Sequence, residues 1–441
     1  MTTRNRTRTK SDQARITTAE LTHAEEMISR SLSEEQVDRL RALTGYNPRK
    51  RICPARRLLI EVTLAYLSGD TLGFQALRSI FVSRLEDIEP AAFQNRLKDP
   101  NAPEFFRVAL NSFTQSIADS AGLSLKGSLA CYEDVRVYDA TCERVPPRGR
   151  QAMPACADGK AGAKLLVGYS LKTGLADEAL CEAQTAAELP MWRRLVPELK
   201  ESVLYLFDLA YFHKSMYTKA QEVGADVLMR LKAKSRVKVI GVATENGYHA
   251  LPGWSKEHFL NTVSRRRGTT YDLDVIWGEL KLRLVGYAQR YDKVRWYLTT
   301  APRDKLTADE VVKAYRLRWL IELLFREIKQ SADLGRCFTA NENAIKALSY
   351  GALLAHALVR SIRIAASLAI EVPLEELRPL ACLHMVRACA DAIADTLIQS
   401  TPEAWKRLFA KLSKCIGFFA REKHPSRSRP RIALDLGATG G

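Results

Sequence analysis

The chain has 441 residues, of which 46% are hydrophobic and 27% are charged, and this composition excludes a largely disordered protein. Lys and Arg outnumber Asp and Glu by 67 to 50, so the formal net charge is +17. This surplus predicts a polyanionic partner, either nucleic acid or an anionic membrane surface. A basic enzyme without such a partner is the alternative.

A membrane or secreted protein is not favoured. The longest nearly uninterrupted apolar run, Ala347 to Val359, is shorter than the roughly 20 residues that a spanning helix needs. No apolar stretch follows the basic N-terminal residues, so we expect no secretory signal. The nine cysteines include no C-x-x-C pair, which fits a reducing compartment without a disulfide framework or a zinc module.

Two N-terminal segments precede the first predicted strand. Residues 1–45 are polar and basic, and we expect a flexible arm. Residues 46–125 predict a helical DNA-binding domain, in which two short helices resemble a helix-turn-helix unit. The second of these helices begins at Asp87-Ile88-Glu89-Pro90 and carries Arg96 on a polar side. A small helical bundle that does not read DNA is the alternative.

Residues 126–231 predict three strands, a helix, a strand, a helix and a strand, in that order. The first strand is expected to end at Asp139 and the fourth at Asp208. This order predicts an α/β sheet of the RNase H type. Residues 232–300 are rich in Val, Thr, Tyr and Trp and predict an antiparallel β insertion, whose basic residues include Arg265, Arg266 and Arg267.

The region 301–340 contains one long predicted helix, from Thr307 to about Ala332. At about 100° per residue, four of its polar residues fall in a sector about 60° wide: Tyr315, Arg318, Glu322 and Lys329. The first and last of them are about 21 Å apart along the axis, so the four cannot share one metal ion. One acid can reach a metal while the others follow a phosphate backbone. An exposed helix with i,i+4 pairing is the alternative.

Three acids predict a metal site. Adjacent central strands of an RNase H-type sheet bring Asp139 and Asp208 side by side, where two carboxylates repel unless a divalent cation bridges them. Glu322, from a packed helix, would complete a set of oxygen ligands for Mg²⁺, with Mn²⁺ as a substitute. Two such ions, about 3.5–4 Å apart, would serve phosphoryl transfer. For either aspartate alone, helix capping or a turn is the alternative.

The Y-x2-R-x3-E-x6-K pattern of the predicted helix resembles the signature of DDE transposases of insertion-sequence family four. The order of strand acid, strand acid, β insertion and signature helix is also similar, over about residues 50–430. The resemblance implies an RNase H-like catalytic core interrupted by an antiparallel β insertion, with helical N- and C-terminal domains. It implies a metal-binding catalytic triad of Asp139, Asp208 and Glu322. It also implies DNA-phosphate contacts by Tyr315, Arg318 and Lys329.

Two positions depart from the family pattern. Ala140 follows the first aspartate, where Gly or Ser is common, and Leu209-Ala210 follow the second, where Arg-Gly is frequent. Neither position would bind metal, so the departures concern the level of activity rather than the class of protein.

The function implied by the resemblance is cut-and-paste DNA transposition. The enzyme would cut at the terminal inverted repeats of its insertion sequence, form a hairpin intermediate and join the freed end to target DNA. Double-stranded DNA is the expected partner, with at least a dimer when two ends are synapsed and no membrane involved. We expect a bacterial cytoplasmic protein that is associated with the nucleoid when it is bound to DNA.

Trp296 is the nearest match to a Trp that the related transposases place in the strand before the signature helix. We expect an unstacked DNA base to rest on it during hairpin formation. A Trp buried between the insertion and the main sheet is the alternative.

Two other functions remain open. One is an RNase H-fold nuclease that cuts without joining, and the other is a non-catalytic DNA-binding protein derived from a transposase. The rest of the chain predicts a helical C-terminal region over residues 341–420, which could form a dimer interface, and a basic tail over residues 421–441.

Overall fold

A computed structural model describes residues 28–47, 53–68, 73–84, 88–120, 124–263, 266–290, 293–332, 337–399 and 401–421. Most of the predicted basic arm and nearly all of the basic tail lie outside these ranges, as does Arg265. Within the described chain, one large mixed sheet is packed between helices on its two faces.

The sheet has ten strands among the described residues. They are β1 (Asp134–Val145), β2 (Ala161–Ser170), β3 (Leu175–Ala183), β4 (Val203–Phe207), β5 (Asp226–Arg230), β6 (Lys238–Thr244), β7 (Gly247–Ser255), β8 (Thr270–Trp277), β9 (Leu280–Arg290) and β10 (Lys293–Thr299). Their spatial order is β3-β2-β1-β4-β5-β10-β9-β8-β6-β7. The first three strands form an antiparallel meander, and β1, β4 and β5 run parallel. This is the RNase H-like arrangement, so the predicted fold class is confirmed.

The strands of the insertion continue the same sheet. β10 pairs with β5 in antiparallel orientation, with Leu298 opposite Met229, and β9, β8, β6 and β7 follow outward. The insertion is therefore joined to the core by strand pairing over three residue pairs, from Tyr297 opposite Arg230 to Thr299 opposite Leu228. The division of the chain into domains stays a prediction.

The first strand is longer than the sequence indicates. β1 continues to Val145 because residues after Asp139 pair with β2, from Ala140 opposite Leu166 to Val145 opposite Ala161. The prediction that Asp139 ends the first strand is therefore wrong. Asp139 lies mid-strand, at the point where the parallel pairing with β4 ends.

The helices flank this sheet. They are α1 (Glu34–Thr44), α2 (Ala55–Ser68), α3 (Phe74–Arg84), α4 (Pro90–Lys98), α5 (Ala102–Ser120), α6 (Glu188–Leu195), α7 (Lys214–Val223), α8 (Lys256–Thr262), α9 (Ala308–Arg316), α10 (Trp319–Ala332), α11 (Glu342–Ala369), α12 (Pro379–Ala388), α13 (Ala390–Gln399) and α14 (Pro402–Phe419).

Helix α11 is the centre of the helical layer. It contacts α2, α4 and α5 from the N-terminal part of the chain, α10, α12 and α14 from the C-terminal part, and the edge strand β3. By length and composition α11 could cross a membrane, but 83% of its most apolar window is buried inside the protein. Its apolar character is therefore explained by its place in the core.

Each face of the sheet buries a hydrophobic core. Val135 and Val137 of β1 belong to the core on the α10 and α11 side, whereas Tyr138 belongs to the core with α6 and α7. This follows from the alternation of side chains along a strand. Asp139, the residue after Tyr138, therefore points toward the helix that carries Glu322.

Candidate active site

Asp139 and Asp208 lie at matching positions on two neighbouring parallel strands. Tyr138 of β1 is in register with Phe207 of β4, and each aspartate is the next residue along its chain. The Asp139 carboxylate accepts a hydrogen bond from the backbone N–H of Ala140 at 2.9 Å. The Asp208 carboxylate likewise accepts from the N–H that follows it, at 2.6 Å. The sheet thus places the two predicted strand acids next to each other, at the point where the parallel pairing of β1 and β4 ends.

Arg318 connects the first of these acids to Glu322. Its guanidinium Nη1 donates to Asp139 Oδ2 at 3.0 Å, and Nη2 donates to Glu322 Oε1. The side chains of Arg318, Asp139 and Glu322 are 20%, 21% and 34% exposed, respectively. Both ion pairs are therefore partly shielded from water. Such shielding makes charge interactions stronger than on an open surface.

The electrostatics of the site reflect crowding of carboxylates. Burial is the main cause that raises the pKa of Asp139 to about 6, with smaller contributions from the charges of Glu188 and Asp208, and the hydrogen bond from the Ala140 N–H and the charge of Arg318 oppose it. Burial lowers the pKa of the Arg318 guanidinium, but Asp139 and Glu322 outweigh this and raise it. The site therefore holds its acids at a free-energy cost that a bound cation would relieve.

The donor chemistry of the acids fits a hard divalent cation, since all three offer carboxylate oxygens. Among the residues that the structure describes, no three His, Cys, Asp or Glu side chains are close enough together to hold one metal ion. A cationic group, the Arg318 guanidinium, instead stands between Asp139 and Glu322. A positive charge between these acids is thus already part of the arrangement.

The signature region is two helices rather than one. α9 begins at the N-cap Thr307, whose side chain and Glu310 form a capping box, and ends at Arg316. Between α9 and α10, the N–H of Arg318 bonds to the carbonyl of Tyr315 at 3.2 Å, which is an i→i+3 contact. This tighter turn changes the rotation per residue. The prediction of one continuous helix to Ala332 is therefore wrong.

The turn separates Tyr315 from the polar stripe. Tyr315 is only 8% exposed, and its ring centroid lies 5.1 Å from that of Tyr297 on β10. Its hydroxyl is buried and has no hydrogen-bond partner within the described chain. Lys329, near the other end of α10, is exposed. The structure thus joins Arg318 to Asp139 and Glu322 but places Tyr315 in the core.

The other basic residues expected to bind DNA are carried by the insertion and by α4. Arg266 and Arg267 are exposed just before β8, and Arg265 lies outside the described residues. Arg96, on α4, is half-buried, and its guanidinium donates to the backbone carbonyls of Cys53 and Ala92.

Trp296 is half-buried on β10 and is in register with Gly286 of β9. A Cβ at Gly286 would come within 2.5 Å of the Trp296 ring, so the indole covers this glycine. The ring centroid of Tyr271 lies 6.3 Å from that of Trp296. The side chain is therefore partly committed to packing within the insertion.

Three residues near the acids were not singled out from the sequence. Trp319, next to Arg318, is 44% exposed, and the guanidinium of Arg326 lies 5.8 Å from its ring centroid. Tyr211 is fully buried three residues after Asp208. Glu188 begins α6 and acts on Asp139 through its charge. Trp319 could have been found from its place inside the signature, whereas Glu188 carries no spacing signal.

Comparison with known proteins identifies the family. A family model described as "Transposase DDE domain" matches residues 132–358, which is more than half of the chain. Transposases of this family are DNA-acting enzymes that use divalent metal ions.

Three curated relatives are transposases. The transposase for insertion sequence element IS231C of Bacillus thuringiensis subsp. berliner is 21% identical over 308 residues, covering 59% of this chain and 63% of the relative. The IS231F transposase of Bacillus thuringiensis subsp. israelensis is 22% identical and covers 52% and 56%. A putative transposase of Sinorhizobium fredii, y4zB, is 29% identical and covers 37% and 43%. The chain thus spans less than two thirds of each relative's length.

A similar solved structure is a piggyBac transposase synaptic complex with hairpin DNA, determined by cryo-EM. It has a TM-score of 0.40 and 12% identity, covering 96% of this chain and 85% of that chain. The fold assignment accordingly rests on the strand order described above. The match of the family model over more than half of the sequence establishes that this chain belongs to the DDE transposase domain family.

Proposed function

We propose that this protein is a cut-and-paste transposase that cleaves DNA at the terminal inverted repeats of its insertion sequence and transfers the freed ends to target DNA. The observation that carries the proposal is the alignment of Asp139 and Asp208 on neighbouring strands, with Arg318 linking Asp139 to Glu322. Acids brought together from β1, β4 and α10 serve no evident packing purpose.

Asp139, Asp208 and Glu322 would hold divalent metal, Mg²⁺ with Mn²⁺ as a substitute. When bound, a pair of such ions activates the attacking oxygen and stabilises the leaving oxygen of a phosphodiester. The contribution of the chain is to hold the carboxylates on a rigid sheet. Arg318 neutralises Asp139 and Glu322 in the metal-free site, and with metal bound to these acids its guanidinium would be able to bind a DNA phosphate.

The proposed reaction has four steps, each of them an attack on a phosphodiester. Water attacks the phosphorus at the end of the element, the bond from phosphorus to the 3′ oxygen breaks, and a free 3′-OH results. That 3′-OH attacks the phosphodiester of the opposite strand at the same boundary, and the 3′-OH of the flanking DNA leaves, which gives a hairpin on the element end. A second water opens the hairpin and leaves a 5′ phosphate and the regenerated 3′-OH. This 3′-OH then attacks a phosphodiester of target DNA and displaces a 3′-OH of the target strand. The two transfer steps exchange one phosphodiester bond for another and the two water steps are hydrolyses, so no oxidant or energy source is required.

DNA would reach the acids along a basic surface. Arg318 and the exposed Lys329 of the signature would contact phosphates near the acids, and the exposed Arg266 and Arg267, with Arg265 before them in the sequence, would add positive charge on the insertion. Tyr315 would contact DNA only if the turn before α10 rearranged, since its hydroxyl is buried.

The N-terminal helices α3 and α4 would bind the inverted repeat, although the guanidinium of Arg96 is engaged with backbone carbonyls. Two copies of the protein would hold the two ends, at the nucleoid of a bacterial cell. The base that leaves the stack at the hairpin step would rest on Trp296.

One observation favours a second candidate. The ion pairs of Arg318 compensate the acids without metal, as a non-catalytic transposase-derived DNA-binding protein would require. A strand-joining assay separates the candidates, including a nuclease that cuts without joining. The substrate is a pre-cleaved element end whose sequence is taken from the DNA flanking the gene. In the presence of Mg²⁺, a transposase joins the 3′-OH of this end to a plasmid. A nuclease nicks but does not join, and a binding protein retains the DNA without either product.

A further inference from the structure

A cavity lies behind α10, on the side of this helix that faces α11 and α12. Its walls come from α2, from β2 and the turn after it, and from α10, α11 and α12. The volume open to the centres of water molecules is about 70 Å³, whereas one water needs about 10–15 Å³ by this measure. The cavity therefore has room for several waters or for a small organic molecule.

Most of this cavity is apolar, and one part of it reaches the surface. Its apolar walls include Leu67 of α2, Leu324 of α10 and Leu383 of α12. Leu380 of α12 is exposed, and the side chain of Glu327 of α10 is partly exposed. Because these two residues also line the cavity, a ligand can enter beside them without unfolding of the helices.

Two arginines of α11 are buried in the wall of the cavity, Arg360 at 5% and Arg363 at 4% exposed. Nε of Arg360 donates to the carbonyl of Thr173 at 3.2 Å. Nη2 of Arg363 donates to the carbonyl of Leu374 at 2.9 Å. A Cβ at Gly174, whose φ is 68°, would clash with the Arg360 guanidinium. The backbone thus makes room for one guanidinium and anchors both, while its neutral carbonyls leave their charge in place.

The positive charge of this wall exceeds its negative charge. Among the described residues that line the cavity, Glu327 is the one carboxylic acid, and its carboxylate lies 3.4 Å from Nε2 of His356. Burial lowers the pKa of Arg360. Burial, and after it the charge of Arg360, lowers the pKa of Arg363 to about 9, although nearby groups, Glu327 among them, oppose this. The charge of the two arginines is therefore incompletely compensated, and a second anion in the cavity would stabilise it.

His356 adds a polar group to the same wall. Its Nδ1 is buried and has no hydrogen-bond partner within the described chain, although nearly all buried polar atoms have one. When Nε2 donates to Glu327, Nδ1 can donate only if the ring is protonated. A carboxylate bound in the cavity would favour that protonated form and accept this hydrogen bond.

A cavity filled only by water is the competing explanation. A buried water needs about two to four polar partners, and the cavity offers them at its arginines and at His356 rather than along its leucines. A small inorganic anion would leave the leucine-lined space empty in the same way. The wall as a whole matches a molecule with a carboxylate at one end and an apolar group at the other.

We propose that this cavity is a binding site for a small carboxylate that carries an apolar ring or short chain. The carboxylate pairs with Arg360 and Arg363, and the apolar part packs against the leucines of α10 and α12. The site is separate from the metal-binding acids, because Leu324 and Glu327 lie on the side of α10 that is turned away from Glu322. The inference therefore does not depend on the proposed function.

The test is a fluorine NMR titration of the full-length protein with para-fluorobenzoate and, in parallel, with the neutral para-fluorobenzamide of nearly the same shape. The benzoate should bind at least about 10-fold more tightly, because it gains charge-assisted hydrogen bonds that the amide lacks. Arg363→Met removes one cation and should weaken benzoate binding by about 10-fold or more. Leu380→Trp places a larger ring at the exposed end of the cavity and should have a similar effect. The matched control is Leu43→Trp, at an exposed position of α1, which should bind as wild type does.

The pattern across ligands and variants decides the proposal. Preferred binding of the benzoate that is lost in Arg363→Met and Leu380→Trp but kept in Leu43→Trp supports it. Equal binding of both ligands, or benzoate binding that persists in Leu380→Trp, overturns it, because the ligand is then held without the arginines or elsewhere on the protein. Absence of binding to wild type also overturns it and leaves a water-filled cavity. If circular dichroism shows that Arg363→Met does not fold, Leu380→Trp decides the matter alone.

Discussion

The guanidinium of Arg318 donates a hydrogen bond to Asp139 at 3.0 Å, joining the turn between α9 and α10 to the middle of β1. The same group donates to Glu322, so one arginine holds acids that are far apart in sequence. In the proposed function its position would give it two uses. It would offset carboxylate repulsion before metal binds, and it would be close to the acids when DNA binds.

Replacing Arg318 or Lys329 by Ala should weaken binding of a pre-cleaved transposon end. Each lost phosphate contact should reduce the slope of log affinity against log salt by about one unit. Filter binding at several salt concentrations between about 50 and about 300 mM measures this slope. Arg407→Ala, at an exposed position of α14, is the control and should keep the wild-type slope. Unchanged slopes for both site variants would mean that neither residue contacts phosphate.

Glu143 should make the stability of the protein depend on pH. It is fully enclosed on β1, and burial raises its pKa to about 7, although hydrogen bonds from Cys337 and Ser349 oppose this. Because this pKa lies above that of an unfolded Glu, the stability linked to the proton is fully present below about pH 4.5 and is lost as pH rises through about 7.

Glu143→Gln should remove this dependence. Relative to the variant, the wild-type free energy of unfolding should fall by roughly 3 kcal/mol from pH 4.5 to pH 7, at 1.36 kcal/mol per unit of pKa shift. Urea denaturation of both proteins at several pH values measures the difference. Parallel curves for the two proteins would show that Glu143 keeps an ordinary pKa in the folded state.

Arg283 should be a major determinant of stability at the junction of the insertion and the core. It donates to both carboxylate oxygens of Asp272, at 2.9 and 2.8 Å, and also to the carbonyl of Leu306 at 2.7 Å. Removal of Arg283 would leave the mostly buried Asp272 paired only with the more exposed Arg303 and would leave the Leu306 carbonyl without this donor, so Arg283→Met should destabilise the protein by about 3–5 kcal/mol.

The matched control for Arg283 is Arg303→Met. Arg303 also contacts Asp272, at 3.1 Å, but is 37% exposed, so its loss should change stability by less than about 1 kcal/mol. Thermal or urea unfolding of both variants compares them directly. Equal effects would mean that burial does not decide the strength of these pairs.

Base stacking on Trp296 and base stacking on Trp319 predict opposite results for the hairpin step. If a base stacks on Trp296, Trp296→Ala should nick normally and fail to form hairpins, with partial rescue by an abasic site at the flipped position. Trp319→Ala should then form hairpins at the wild-type rate. Gel assays of nicked and hairpin products decide the matter. The reverse result would assign stacking to Trp319, the exposed aromatic beside Arg318, and leave Trp296 to its packing on Gly286.

The sequence was sufficient to locate the core strands and to expect their acids on neighbouring strands. The register of β1 against β4, with Tyr138 opposite Phe207, then aligns Asp139 with Asp208. The predicted end of β1 was too early. Polar residues after Asp139 pair with β2, so the strand continues beyond the apolar residues from which it was predicted. Strand pairing depends on a partner that local patterning does not contain.

The break in the signature helix was not predictable from periodicity. A helical wheel assumes constant rotation, but the i→i+3 turn at Arg318 turns Tyr315 into the core while leaving Arg318 and Glu322 at the acids.

The most direct test of the central claim is the rate of Mg²⁺-dependent nicking at the element end, measured with wild type and with Asp208→Asn. Asp208 directly follows the part of β4 that pairs with β1, and among the described residues it makes no hydrogen bond to Arg318, so its removal leaves the Arg318 pairs in place. The account predicts metal-dependent nicking by wild type, at least about 1,000-fold slower nicking by the variant, and similar affinity of both for end DNA. Nicking by Asp208→Asn at the wild-type rate would contradict the account.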